Sequence, residues 1–200
     1  MQASACRSGM RHQEEDRDMT RMGTRTLALS ALWIAGVVAL GHLLAAIPNV
    51  ELVTASVFLG GVVLGPGLGG LIGLLSELLY SVTSPFGVAA PPLLVAQVLS
   101  MAVTGMAGGI VGRDYYRTHR PPTSHMVTAV IGLALTVLFD LLTTASFLVF
   151  SGITLQRLGA TLLFGLGFYV AHVAWNTLVF ATVVPILGKK LPGLIPWSSA

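Results

Sequence analysis

Leu64-Gly65-Pro66-Gly67-Leu68-Gly69-Gly70 separates two short apolar runs, residues 52–64 and 68–82. If the chain continues through this stretch as one kinked helix, the protein has five apolar spans. If it turns back, it has six. The basic residues choose between the two. Of 11 Lys and Arg residues, only Arg157 lies outside three patches, at 7–25, 113–120 and 189–190. Cytosolic loops of membrane proteins carry the Lys/Arg excess. A turn at Gly65-Pro66-Gly67 puts all three patches on the cytosolic side, whereas a single helix would strand 113–120 outside. Glycine and proline are also the residues a tight turn requires. The expectation is an all-α membrane protein with six transmembrane helices in a compact bundle and both termini cytosolic. The six runs are 27–47, 52–64, 68–82, 89–111, 126–150 and 160–187.

The composition agrees. The chain is 54% hydrophobic and 10% charged, with a mean hydropathy of +0.82; water-soluble domains are roughly 25% charged. Its size suits one membrane domain, 26–190. Residues 1–25 are polar and mixed in charge, too long and too acidic for a signal-peptide n-region, and are expected to form a disordered cytosolic tail. Residues 191–200 are expected as a short C-terminal tail. The first run is long enough to cross a hydrocarbon layer of ~30 Å at ~1.5 Å per residue. The net charge of +3 reflects the cytosolic bias. No basic stripe is interleaved with aromatics, so nucleic acid is not an expected partner. Cys6 is the only cysteine, which excludes an intrachain disulfide and a cysteine metal site.

Small residues recur at helical spacing. Ala31, Ala35 and Ala39 fall on one face of the first helix, with Gly36 and Gly41 beside them. Such a stripe lets two helix backbones approach closely in lipid, either inside the bundle or against another protein. Gly105 with Gly109, and Gly108 with Gly112, give the fourth helix the same two options. Gly61, Gly65, Gly69 and Gly73 also repeat every four residues, but the turn interrupts them, so they are expected to allow a compact hairpin.

Ionisable groups inside a bilayer cost roughly 2.5 to 3.5 kcal/mol at mid-helix, so the few present are informative. Glu51 opens the second helix. Glu77 and Tyr80, with Ser81 and Ser84, make a polar face at the outer end of the third. Gln97, Ser100 and Thr104 share a face of the fourth. Thr136, Asp140, Thr143 and Thr144 share a face of the fifth, with Asp140 about 15 Å below the outer end. Tyr169, His172 and Asn176 form a stripe on the sixth, with Trp175 adjacent and His172 near mid-helix. These residues gather in the outer half and the midplane, while the inner halves are small and aliphatic. A cavity open to the outside and closed below would produce this pattern. The expected substrate-binding set is therefore Glu51, Glu77, Tyr80, Gln97, Asp140, Thr143, Thr144, His172 and Asn176, with Asp140 in direct contact with a polar ligand group and His172 or Asn176 supplying a second contact. The competing reading is structural: hydroxyls bonded to their own helix and polar pairs joining helices.

Enzyme chemistry is not indicated. There is no phosphate-binding Gly-x-x-x-x-Gly-Lys-[Ser/Thr] loop and no His-Glu-x-x-His zinc pair. No Gly-x-Ser-x-Gly elbow occurs, and no nucleophile stands beside Asp140 and His172. No inverted repeat of the kind many secondary carriers show is detectable. The chain reads as a small membrane-embedded binder without its own energy source.

Over roughly 27–187 the chain resembles the substrate-binding S components of energy-coupling factor (ECF) vitamin transporters. The resemblance rests on six spans in a chain of this size and on the Ala31-x-x-x-Ala35-x-x-x-Ala39 stripe. It also rests on Ile47-Pro48-Asn49-Val50-Glu51-Leu52-Val53-Thr54, on Gly60-Gly61-x-x-Leu64-Gly65-Pro66-x-x-Gly69, and on His172-x-x-x-Asn176. It implies a multi-pass protein of the prokaryotic plasma (inner) membrane, with the lipid bilayer as its surroundings. It implies capture of a small-molecule micronutrient at the outer face, then docking to a transmembrane coupling protein with two cytosolic ATPases. ATP is used by those ATPases, no cofactor is implied in this chain, and hydrolysis topples the S component to release ligand inside. The alanine stripe matches the family motif that faces the coupling protein. Pocket residues differ between members, so none is carried over. Two other classes compete: a structural scaffold like the rod-shape-determining membrane protein, and a solitary small-molecule transporter. Three acidic residues in the outer half against Arg157 alone favour a cationic or amine-bearing ligand over a carboxylate-rich one, unless the carboxyls are protonated.

Overall fold

The computed structural model describes the backbone of residues 2–149, 152 and 154–194, and side chains within that set from residue 23 onward. The segment between the fifth and sixth apolar runs and the tail at 191–200 therefore lie partly outside the described residues. Every regular element among them is helical: α1 (Gln2–Leu44), α2 (Val53–Leu64), α3 (Pro66–Val82), α4 (Pro91–Thr118), α5 (Thr123–Phe147), α6 (Leu155–Phe164) and α7 (Leu166–Leu194). The protein is an all-α membrane bundle. Among the described residues, four segments are long and apolar enough to cross a membrane: Gly23–Leu44, Pro91–Thr118, Thr123–Phe147 and Leu166–Leu194. The helix containing the first of them extends back to Gln2, through the stretch expected as a tail, where Met10, Gln13, Glu14 and Glu15 are good helix formers.

α2 and α3 have 12 and 17 residues, or about 18 and 26 Å of helix. α2 can be short because it hardly meets lipid. Ten of its residues are buried, from Val53 to Val63, as expected of a helix that is apolar all round. The two helices form the hairpin read from the sequence. Gly65 takes φ 88° and ψ 171°, Pro66 starts α3, and Gly65 N–H closes α2 on the Gly61 carbonyl at 2.8 Å. A positive φ of this kind suits only glycine without strain.

The glycines beyond the turn are spent inside the bundle. A Cβ on Gly69 or on Gly61 would overlap the Gly105 carbonyl, and a Cβ on Gly105 would overlap the Gly69 carbonyl. Gly108 and Gly109 abut the backbone of Phe58 and Pro66 in the same way. The α4 spacing is thus internal packing and is not left for a partner. α4 breaks at Gly112, with φ 66° and ψ 172°, where the apolar run ends.

The alanine stripe has the opposite fate. α1 packs through Ser30, Trp33, Val37 and Gly41, with Trp33 Nε1–H donating to the Ser56 carbonyl at 2.9 Å. Ala31, Ala35 and Ala39 stay exposed on its other side.

The run expected as one helix over 160–187 is two, α6 and α7, parted at Gly165. The Tyr169 ring occupies the space a Cβ at Gly165 would take, and its hydroxyl reaches Thr144 on α5 at 2.7 Å. α6 buries none of its residues. Farther along α7, Pro185 has no N–H for the Ala181 carbonyl. His125 Nδ1 on α5 supplies the missing donor at 2.7 Å.

Candidate functional site

The C-terminal ends of α1, α3 and α5 and the N-terminal ends of α2, α4 and α7 meet at one end of the bundle. Between them lies a cavity of about 240 Å³. Glu51, Glu77, Tyr80, Gln97 and His172 of the expected set line it. Below it Val53 and Met101 join Val37 and Val57 in an apolar cluster, so the cavity is closed toward the middle of the bundle.

Glu51, Tyr80, Gln97 and His172 are each held by a neighbour. Glu51 uses Oε2 to accept from Thr54 N–H at 2.9 Å, capping the start of α2. Its backbone carbonyl accepts from Trp175 Nε1–H at 2.8 Å, which ties the 45–52 loop to α7. Its second oxygen, Oε1, is buried with no hydrogen-bond partner among the described residues. Gln97 Oε1 accepts from Ser81 Oγ at 3.1 Å, leaving its amide N–H groups for the cavity. The Tyr80 ring stands edge-on to His42, 5.2 Å between centroids. His42 in turn bonds the Thr83 carbonyl at the end of α3, 3.0 Å. His172 Nδ1 lies 2.8 Å from Asp140 Oδ1. An ionised carboxylate only accepts, so Nδ1 carries the proton and Nε2 is the atom turned toward Glu51. That separation, 3.8 Å to Oε1, is beyond hydrogen-bond length.

Four expected residues do not reach the walls. Asp140 stands behind His172 and fixes its ring, so in this arrangement it touches the cavity only through the imidazole. Thr143 bonds the Phe139 carbonyl of its own helix at 2.8 Å, and Thr144 pairs with Tyr169. Asn176 is fully buried, with neither amide atom paired among the described residues, and it is not on the walls. The depth expectation also shifts. His172 is six residues into α7 and Asp140 seven before the end of α5, about 9 and 10 Å from those ends. They share a level, one closer to the helix ends than the ~15 Å expected for Asp140, because α5 ends at Phe147 and the sixth run is split at Gly165.

The walls also include residues that polarity alone could not single out. Phe139 and Met101 supply apolar surface, the former edge-on to His172 at 5.9 Å. The 44–50 segment forms the rim, with Asn49 in the left-handed region at φ 61°. The motif around Ile47 to Thr54 was the one available signal for that rim.

The model of the family described as ECF-type riboflavin transporter, S component, matches residues 21–192. The chain belongs to this family. No curated protein and no solved structure matches it. As an ECF S component, the protein is the substrate-binding subunit of an ECF transporter, a multi-pass membrane protein whose family works with a coupling protein and ATPases on a small-molecule substrate. The matched segment spans α2 to α6 in full, with most of α7 and the apolar part of α1, and so contains every wall of the cavity.

Proposed function

We propose that this S component captures a small-molecule micronutrient in the cavity between α1, α3, α5 and α7, from the outer face of a prokaryotic plasma membrane. In this reading the chain crosses the membrane six times with both termini cytosolic and catalyses no reaction. It hands its ligand over by docking to the coupling protein, driven by two ATPases. The observation that carries the reading is the opposition of the two ends. The cavity gathers carboxylates at one end. At the other, Arg113 shares a cleft with Gly23, Thr26 and the Gly65 turn, and Lys189 and Lys190 share one with His119 and His125. By the positive-inside rule the basic end is cytosolic, so the cavity opens outward.

The competing scaffold reading has no use for a cavity walled by Glu51, Glu77 and His172 in a protein interior where carboxyls are costly. A solitary transporter remains the second reading, and the exposed Ala31, Ala35 and Ala39 stripe favours docking over it.

Cysteine accessibility tests the orientation. In a Cys6→Ser background, Ser84→Cys should react with a membrane-impermeant maleimide on intact cells. Thr123→Cys should react only after permeabilisation. Thr123 is preferred to its neighbour because Ser124 is buried, at 4% exposure. The reverse labelling pattern would overturn the orientation and, with it, outer-face capture.

A further inference from the structure

The walls of the cavity have a chemical bias that constrains its guest. Two carboxyl side chains face it, Glu51 and Glu77, and no Lys or Arg is among its lining residues. Glu77 is 3% exposed. The single cationic candidate on the walls, His172, is already engaged by Asp140 through Nδ1. Its Nε2 stops 3.8 Å short of Glu51 Oε1, which has no hydrogen-bond partner among the described residues. The remaining ionisable groups nearby are Tyr80, on the wall, and His42, which is not among the lining residues and whose ring nitrogens face the carbonyls of Val38 and Thr83; donating to both makes it an imidazolium, spent on those carbonyls. Arg157 sits on α6 with its guanidinium on the Gly152 carbonyl, 3.2 Å. Thr54 N–H holds Glu51 Oε2, which leaves Oε1 to be satisfied, and an ionised carboxylate offers only acceptors. The guest must therefore bring donors, and positive charge is the property that most improves its fit.

Size and shape add a second constraint. At about 240 Å³ the cavity falls below the ~300–1,000 Å³ typical of sites for drug-sized ligands. Phe139 and Met101 give it apolar surface. No cluster of three His, Cys, Asp or Glu side chains placed to hold a metal ion occurs among the described residues, so the charge belongs on an organic molecule. Riboflavin, the ligand in the family's description, is a neutral tricyclic ring with a polyol chain. It brings no cation.

We infer that the substrate class of this S component is a compact ring compound bearing a basic nitrogen, seated with the nitrogen between Glu51 and Glu77 and the ring against Phe139 and Met101. This rests on the cavity being the substrate site. The Gln97 amide, the Tyr80 hydroxyl and His172 Nε2 are then left to read the polar edge of the ring.

The test uses matched probes on the purified full chain in lipid nanodiscs. Benzylamine and benzyl alcohol have the same shape and differ in the charged nitrogen; riboflavin is the third probe. Calorimetric titration should show benzylamine bound at least about tenfold more tightly than benzyl alcohol, a difference of ~1.4 kcal/mol. Glu77→Gln should erase most of that preference, and Glu77→Asp, which keeps the charge, should retain it. Equal affinity for the two probes, no benzylamine binding, or tight riboflavin binding indifferent to Glu77→Gln overturns the inference. The cavity reading is judged separately by Ala45→Trp, which fills the rim. If riboflavin binds wild type tightly and Ala45→Trp abolishes that binding, the cavity is right and the amine class wrong. If Ala45→Trp leaves every bound probe unaffected, the cavity itself is wrong.

Discussion

Gly105→Ala should destabilise the protein by about 3 kcal/mol or more, at or beyond the upper end of ordinary overpacking. The added methyl meets the Gly69 carbonyl on α3, and a backbone carbonyl cannot swing aside as a side-chain tip can. Either α3 and α4 separate or the hairpin shifts on α4, and both open the Gly61–Gly105 approach as well. The measurement is thermal unfolding of purified protein alongside Gly159→Ala. Nothing lies within 4 Å of a Cβ at Gly159, so that control should gain roughly 0.5–1 kcal/mol from helix propensity. If Gly105→Ala unfolds with wild type, the three-helix junction is not built as described.

Ala35→Leu should reduce cellular uptake at least about tenfold, the equivalent of ~1.4 kcal/mol of lost docking, while ligand affinity of the isolated subunit stays within about twofold of wild type on the same scale. Ala35 is exposed, and the face of α1 that packs on the bundle is a different one, carrying Ser30, Val37 and Gly41. A bulky side chain there cannot reach the cavity, and it blocks a close approach from outside. The checks are whole-cell uptake with coupling protein and ATPases coexpressed, and titration of the purified variant. If affinity falls with uptake, the stripe serves the bundle or the cavity rather than a partner.

How much of this was legible in the sequence varied with the kind of signal. The hairpin was legible because Gly65-Pro66-Gly67 and the charge pattern agreed on it independently. The split at Gly165 was not: one glycine in an apolar run looks like any other, and what makes it a break is Tyr169 folding over it toward Thr144. Glu51, Glu77, Tyr80, Gln97 and His172 line the cavity, and polarity inside an apolar chain is what singled them out. The same signal singled out Thr143, Thr144 and Asp140, whose partners in the fold are a backbone carbonyl, a tyrosine and an imidazole. Polarity shows that a side chain is satisfied by something, but not whether a ligand or the protein does so. Phe139 and Met101 gave no signal, since apolar residues facing lipid and facing a cavity read alike. The fates of the two small-residue stripes were equally hidden. Only the packing shows Gly105 and Gly109 consumed against α3 and the hairpin turn while Ala31, Ala35 and Ala39 remain free.

The central claim is that the cavity under the 44–50 rim holds the substrate. The most direct measurement is mass spectrometry of small molecules released on denaturing the protein purified from its native membrane, wild type against Ala45→Trp. Ala45 lines the cavity, and an indole there occupies the space a ligand needs. Wild type should release a small molecule in proportion to protein, and a correctly folded Ala45→Trp variant should release none. A wild type that carries nothing, or a variant carrying the same amount as wild type, would contradict the account.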